Sequence, residues 1–151
     1  MSAELYELKP EELHQYWAFL ARGMTAIKRK LKPNWIPEDM YAALRSAAVS
    51  CVIARRNERL LGFLIYSKQI RPFNFAPELF VWVAWNLPVR EWLPDDNMQS
   101  AILAVLQYIA KVAKSQYQTD QISWITRPSR AKAFARKYGW GQDWVTMTVR
   151  V

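Results

Sequence analysis

At 151 residues the chain has the size of one domain and little room for a second. A hydrophobic fraction of 52% with eight tryptophans excludes a disordered chain. A formal net charge of +8 steers the surface toward anions, whether nucleic acid, acidic protein, phosphorylated ligand or anionic lipid.

Ala3 to Leu8 alternates polar with apolar side chains, the period of a half-buried strand. This acidic opening lacks the basic start and apolar run of a signal peptide, and is read as part of the fold. Pro10 opens a helix, with Glu11 and Glu12 placed to favour its dipole and Leu13, Trp17 and Leu20 as its apolar stripe. Gly23 is expected to weaken this helix, which resumes through Lys30 before Pro33. Pro37, Glu38 and Asp39 open a second helix with the stripe Met40, Tyr41, Leu44 and Ala48.

Val49 to Arg55 reads as a strand, Arg56 to Arg59 as a polar turn, and Leu60 to Ser67 as the returning strand. Cys51, the single cysteine, excludes an internal disulfide, and its apolar run marks it as a small buried hydrophobe, not a nucleophile. Gly62 marks a bulge or a close backbone approach. After a loop from Ile70 to Pro77, the stretch Glu78 to Trp85 is almost wholly apolar, as a central strand covered on both faces should be. It is too short to span a bilayer as a helix, so the chain is expected to be soluble.

A proline-containing loop, Asn86 to Asp96, leads into the clearest helix, Asn97 to Ser115. Ile102, Val105, Leu106, Ile109 and Val112 fall at helical spacing there, and Asp95 or Asp96 is the expected cap. Gln121 to Thr126 reads as a strand, Pro128 to Tyr138 as a basic helix closed by Gly139, and Trp144 to Val151 as a final strand. The order β-α-α-β-β-β-α-β-α-β predicts an α/β (α+β) domain over residues 1–151, a mixed sheet covered by helices. Cations concentrate at Arg22, Lys28, Arg29, Lys30 and Lys32, and again at Arg127, Arg130, Lys132, Arg136 and Lys137. The second group is a candidate partner-binding surface.

That order resembles the GNAT-type N-acetyltransferase fold. The segment Pro128 to Trp140, with Lys137-Tyr138-Gly139-Trp140, is similar to the family's closing helix and its "Lys-Leu-Gly-Phe" turn. The resemblance implies a mostly antiparallel central sheet flanked by helices. It also implies a CoA pyrophosphate held by backbone amides in a Gln/Arg-x-x-Gly-x-Gly/Ala loop before the long helix. The corresponding stretch here, Leu87 to Asn97, contains no glycine. Pro88 and Pro94 each lack an N–H, and Asp95 and Asp96 bring negative charge to the helix N-terminus. Repulsion should exclude a pyrophosphate unless basic side chains offset it.

Aligned on Gly139, the family's proton-donating tyrosine falls on Ala135 and its CoA-contacting asparagine on Pro128. Tyr138 is the remaining tyrosine nearby, on another helical face. Glu78 is the fallback general base, since a strand glutamate often takes the amine's proton in such enzymes. The bland reading of Glu78 is a solvated strand-end carboxylate. His14 has no sequence-neighbouring partner, and neither a metal-ligand spacing nor a Gly-x-Ser-x-Gly nucleophile motif occurs.

Ala101 to Tyr117, Ile122 to Thr126 and Phe134 to Gly139 further resemble acetyltransferase-like internal virion (core) proteins of short-tailed bacteriophages. This implies a catalytically degenerate domain without cofactor, acting by binding during virion assembly or infection. Its partners would be a protein such as a virion component, or nucleic acid. It would be cytoplasmic during expression or carried in the virion. The alternative is a divergent acetyl-CoA-dependent N-acyltransferase that holds CoA through Arg90, Arg127 or Arg130. A direct nucleic-acid binder would need a motif that the charge alone does not supply.

Overall fold

The computed structural model describes residues 3–71, 74–124, 136 and 137. A short strand β1 (Glu4–Glu7) and a 3-10 turn (Pro10–Glu12) precede two helices, α1 (Leu13–Leu31) and α2 (Pro37–Arg45). The strands β2 (Ser50–Arg56), β3 (Arg59–Ile70) and β4 (Pro77–Asn86) follow. A second 3-10 turn (Val89–Glu91), the long helix α3 (Met98–Ser115) and β5 (Ile122–Trp124) complete the described order. The sheet runs β1-β2-β3-β4-β5, antiparallel throughout except for the parallel β4–β5 pair. This is the mixed, mostly antiparallel α/β architecture that the sequence implies. The expected closing helix and last strand lie outside the described residues, apart from Arg136 and Lys137.

Alternation along the strands assigns each side chain to one of two covered faces. Cys51, Ile53, Phe63, Ile65 and Val83 pack under Leu13, Leu20 and Met24 of α1 and Met40 and Leu44 of α2. Val52, Leu64, Tyr66, Leu79 and Val81 pack under Leu106, Ile109 and Val112 of α3. Two covered faces explain why β3 is buried without interruption from Leu61 to Tyr66. Each fully buried aliphatic side chain of this kind contributes about 1.5–3 kcal/mol. Cys51 lies wholly inside, where burial pushes its thiol pKa upward, as expected of a structural cysteine.

The α1 helix runs unbroken through Gly23, which corrects the expected interruption. Gly23 is the point of closest approach to the sheet: a Cβ there would fall into the Phe63 ring and lie 2.8 Å from Trp85 Cε3. The helix ends at Lys32, which takes a left-handed conformation (φ 46°) before Pro33. Lys28, Arg29 and Lys30 occupy its last turn, where cations complement the dipole. Lys28 also donates to the Trp35 carbonyl at 2.7 Å, and Arg22 pairs with Glu91. Much of the first basic cluster thus finishes a helix and closes a loop.

The α2 helix stops at Arg45, short of Ala48, because Ala47 turns left-handed (φ 60°) and Ala48 N–H donates to the Ala43 carbonyl. At its start Asp39 accepts from the Ile36 N–H at 2.9 Å.

Two bulges bend the sheet. Leu61 is the extra residue where β3 passes Ala54 and Arg55, and Trp82 is the extra residue where β4 passes Ile65 and Tyr66. Gly62 serves both purposes expected of it: it adjoins the first bulge, and a Cβ there would lie 2.7 Å from the Trp85 carbonyl oxygen.

Both glycines make a measurable prediction. Replacing Gly23 with Ala improves helix propensity but forces two buried rings apart, so urea unfolding should show a net loss of about 1–2 kcal/mol. Gly62→Ala presses on backbone that has no freedom to move and should cost more, about 2–3 kcal/mol. A neutral Gly62→Ala variant would contradict the close approach.

Candidate functional site

Among the described residues β5 pairs with β4 over Leu79–Ile122, Phe80–Ser123 and Val81–Trp124. The bulge at Trp82 comes directly after, and β4 continues through Asn86 along the start of α3. The result is a cleft of about 460 Å³ between these elements. Its floor is β4 from Val81 to Asn86, and its wall is the α3 face of Met98, Ala101, Ile102 and Val105. Trp124 and Lys137 also line it. The described lining is mostly apolar and suits an apolar body.

The loop from β4 to α3 meets its own needs. Leu87 N–H donates to the Leu61 carbonyl, Glu91 N–H to Pro88, Trp92 N–H to Val89 and Asp96 N–H to Leu93. Trp92 Nε1 donates to the Leu87 carbonyl at 2.7 Å. The helix cap is Asn97, whose side chain accepts from Ser100 N–H at 3.0 Å, which corrects the expected cap at Asp95 or Asp96.

Asp96 has another task. Its carboxylate, with a side chain only 1% exposed, pairs with Arg59, lies 3.5 Å from Arg56 and accepts from the Leu93 N–H at 2.9 Å. Burial pushes its pKa up, but the Leu93 N–H, Arg59 and Arg56 outweigh burial and hold it below the ordinary aspartate range. Asp95 stays exposed and meets Arg56 at 3.3 Å. The two aspartates are therefore offset by the two arginines that flank the β2–β3 turn, so the repulsion expected of an uncompensated acidic pair does not arise. The arginines are occupied, many of the amides are already donated, and prolines take the place of further donors.

Glu78 is neither solvated nor in the cleft. It is buried at the start of β4, where it accepts from Arg71 Nε at 3.0 Å and from Ser123 Oγ at 2.8 Å. Arg71 Nη2 in turn donates to Gln121 Oε1 at 2.7 Å, so the network ties the β3–β4 connection to β5. Arg90 is exposed on the 3-10 turn before α3, and Arg136 and Lys137 are exposed, with Lys137 at the cleft. Tyr138, Arg127, Arg130 and Lys132 lie outside the described residues, as do Ala135 and Pro128. Among the described residues no group of His, Cys, Asp and Glu could hold a metal ion, and no helix is long and apolar enough to cross a membrane.

Sequence reasoning missed the pairing of Arg56 and Arg59 with Asp95 and Asp96. The available signal was a basic turn and an acidic loop of matching charge, far apart in the chain.

No protein-family model matches the chain, and no curated protein matches it in sequence. Solved structures do resemble it. A ribosomal-protein-alanine N-acetyltransferase from Brucella melitensis biovar Abortus 2308 superposes with a TM-score of 0.65 at 16% identity, covering 99% of this chain and 100% of that one. A predicted acetyltransferase from Clostridium acetobutylicum, solved with acetyl-CoA, gives 0.63 at 11% identity over 97% and 96% of the two chains. An integron cassette protein from the mobile metagenome of V. cholerae gives 0.66 at 11% identity over 100% and 93%. The chain thus has the GNAT acetyltransferase fold. At these identities the likeness establishes the fold alone.

Two measurements follow from the site. A carboxyl whose pKa is depressed by folding stabilises above its unfolded value, near 3.9, and that stabilisation is lost as pH falls through the folded value. Asp96→Asn should therefore lower stability near neutral pH by about 1.5–3 kcal/mol, with the difference from wild type vanishing in acid. A constant difference across the titration would remove the ion pairs from the explanation. Glu78→Ala, which removes the buried acceptor of Arg71 Nε and Ser123 Oγ, should cost about 2–3 kcal/mol in chemical denaturation.

Proposed function

We propose that this chain is one acetyltransferase-like domain, over residues 1–151, that acts by binding and does not transfer acyl groups from CoA. The observation that carries the reading is the β4–α3 loop. A pyrophosphate needs several unpaired amides and close backbone approach. This loop has prolines at 88 and 94, donates the amides of Glu91, Trp92, Leu93 and Asp96 within itself, and is pinned by Asp96 to Arg59 and Arg56. Opening it to a dinucleotide-like anion would first require breaking a buried ion pair, which costs several kcal/mol.

The finer form of the proposal is a role in virion assembly or infection. Its support is the resemblance of Ala101 to Tyr117, Ile122 to Thr126 and Phe134 to Gly139 to internal core proteins of short-tailed bacteriophages. The chain's net charge of +8 fits an acidic protein partner.

Isothermal calorimetry with acetyl-CoA tests the proposal. No heat of binding is expected up to millimolar ligand. Low-micromolar binding, competed by free CoA, would establish instead the divergent acyltransferase, with Arg90, Arg127 and Arg130 as the first residues to substitute.

A further inference from the structure

Arginines from three segments converge on the stretch from Glu91 to Asp96. Arg22 of α1 pairs with the Glu91 carboxylate. Arg59, at the start of β3, donates to the Glu91 carbonyl and to Asp96, and Arg56, at the end of β2, reaches Asp95 and Asp96. Of the acids held in this way only Asp96 is enclosed, its side chain 1% exposed against 81% for Asp95. The enclosure does not serve the helix, because Asn97 caps α3.

The surroundings of Asp96 are those of an anion site. Two guanidinium groups and a main-chain N–H face one carboxylate, with Arg59 Nη1 and Leu93 N–H both donating to Oδ2. Charge-assisted bonds of this kind hold phosphate as well as carboxylate. The carboxylate does not use all that is offered. Arg56 Nη1 is buried, lies 3.5 Å from Asp96 Oδ1 and makes no hydrogen bond among the described residues. A tetrahedral anion has more oxygens to meet these donors. An open pocket of about 410 Å³, lined by Arg56, Asn57, Glu58, Arg59, Leu93 and Asp96, gives them room. The other acids nearby, Glu58 and Asp95, are exposed, so water weakens their hold on the arginines.

We propose that Arg56, Arg59 and the Leu93 N–H form an oxyanion site, and that Asp96 is the loop's own plug for it. The proposal rests on the reading of the loop as unable to hold CoA and supplies a cause: a tethered anion is already bound. Tethering gives Asp96 a high effective concentration, so a free anion of the same charge does not displace it. The site outlasts its plug, since Arg22 on Glu91, Arg59 on the Glu91 carbonyl and Trp92 Nε1 on the Leu87 carbonyl hold the loop by other bonds. The ligand class is a tetrahedral oxyanion, with orthophosphate as the probe.

Thermal unfolding of the full chain near neutral pH, in phosphate against chloride at matched ionic strength, provides the test. Asp96→Gly removes the plug. Its Tm should start below that of wild type and rise along a saturating curve, by about 5–10 °C at a hundredfold excess of phosphate over Kd. Wild type should show only the small, unsaturating rise that phosphate gives through exclusion from protein surfaces. Adding Arg56→Gln to Asp96→Gly should abolish the saturating rise, whereas adding Lys114→Gln, an exposed position in the last turn of α3, should leave it intact. Circular dichroism checks folding, and Asp96→Ser takes the place of Asp96→Gly should the latter be unfolded in chloride. Equal curves for wild type and the plug variant would mean an adventitious ion only. That result, a folded plug variant with no saturating rise, or a rise that survives Arg56→Gln would each overturn the proposal. Acetyl-CoA binding by wild type strikes the reading of the loop, and silence toward phosphate in the plug variant strikes the plug alone, so the two failures are distinguishable.

Discussion

The Asp96 carboxylate governs the half of the molecule where an acetyltransferase does its chemistry. It sits out of water between the β2–β3 turn and the loop before α3, held by Arg59, by Arg56 and by the Leu93 N–H. A buried carboxylate left without these partners would be strongly unfavourable, so the loop can only adopt courses that bring it to the arginines. Once it does, Leu93, Trp92 and Glu91 donate their amides to neighbours within the loop. The course of the loop is thus a consequence of one satisfied charge as well as of its missing glycines.

Much of the fold was legible because the helices and strands carry unambiguous periods. The α3 stripe and the apolar β4 segment fall where Ile102, Leu106, Ile109 and Leu79 to Trp85 put them. Errors came where a local rule met a tertiary contact. Gly23 lowers helix propensity by about 1 kcal/mol, yet the helix passes through it because only a glycine lets α1 come down on Phe63 and Trp85. Asp95 and Asp96 are good caps by residue type, yet Asn97 caps α3 because Asp96 is drawn away by arginines 37 and 40 residues earlier, in the turn before and at the start of β3.

The site was less legible. The absence of glycine from Leu87 to Asn97 could be read directly, and it singled out the loop whose course Asp96 sets. Its physical basis could not, because charge pairing between residues so distant in sequence has no local signature. Glu78 shows the same limit. A glutamate opening a central strand fits a general base or a solvated end equally well, and only the arrival of Arg71 and Ser123 from two other segments makes it the buried root of a hairpin.

The cleft beside the β4–α3 loop is held open by packing. Phe63, Leu64, Val81, Met98, Ala101 and Leu106 line the cleft and also belong to the buried clusters under the helices. Filling the cleft would mean moving α3 toward β4, and α3 is fixed by Ile109 and Val112 further along the same helix. The bulge at Trp82, locked by its Nε1 donating to Ser67 Oγ at 2.9 Å, bends β4 just beyond the described Val81–Trp124 pair. The cavity is therefore a property of the framework, while the anion seat is a property of one loop. Changes confined to that loop can alter what it offers an anion while leaving the apolar cleft in place.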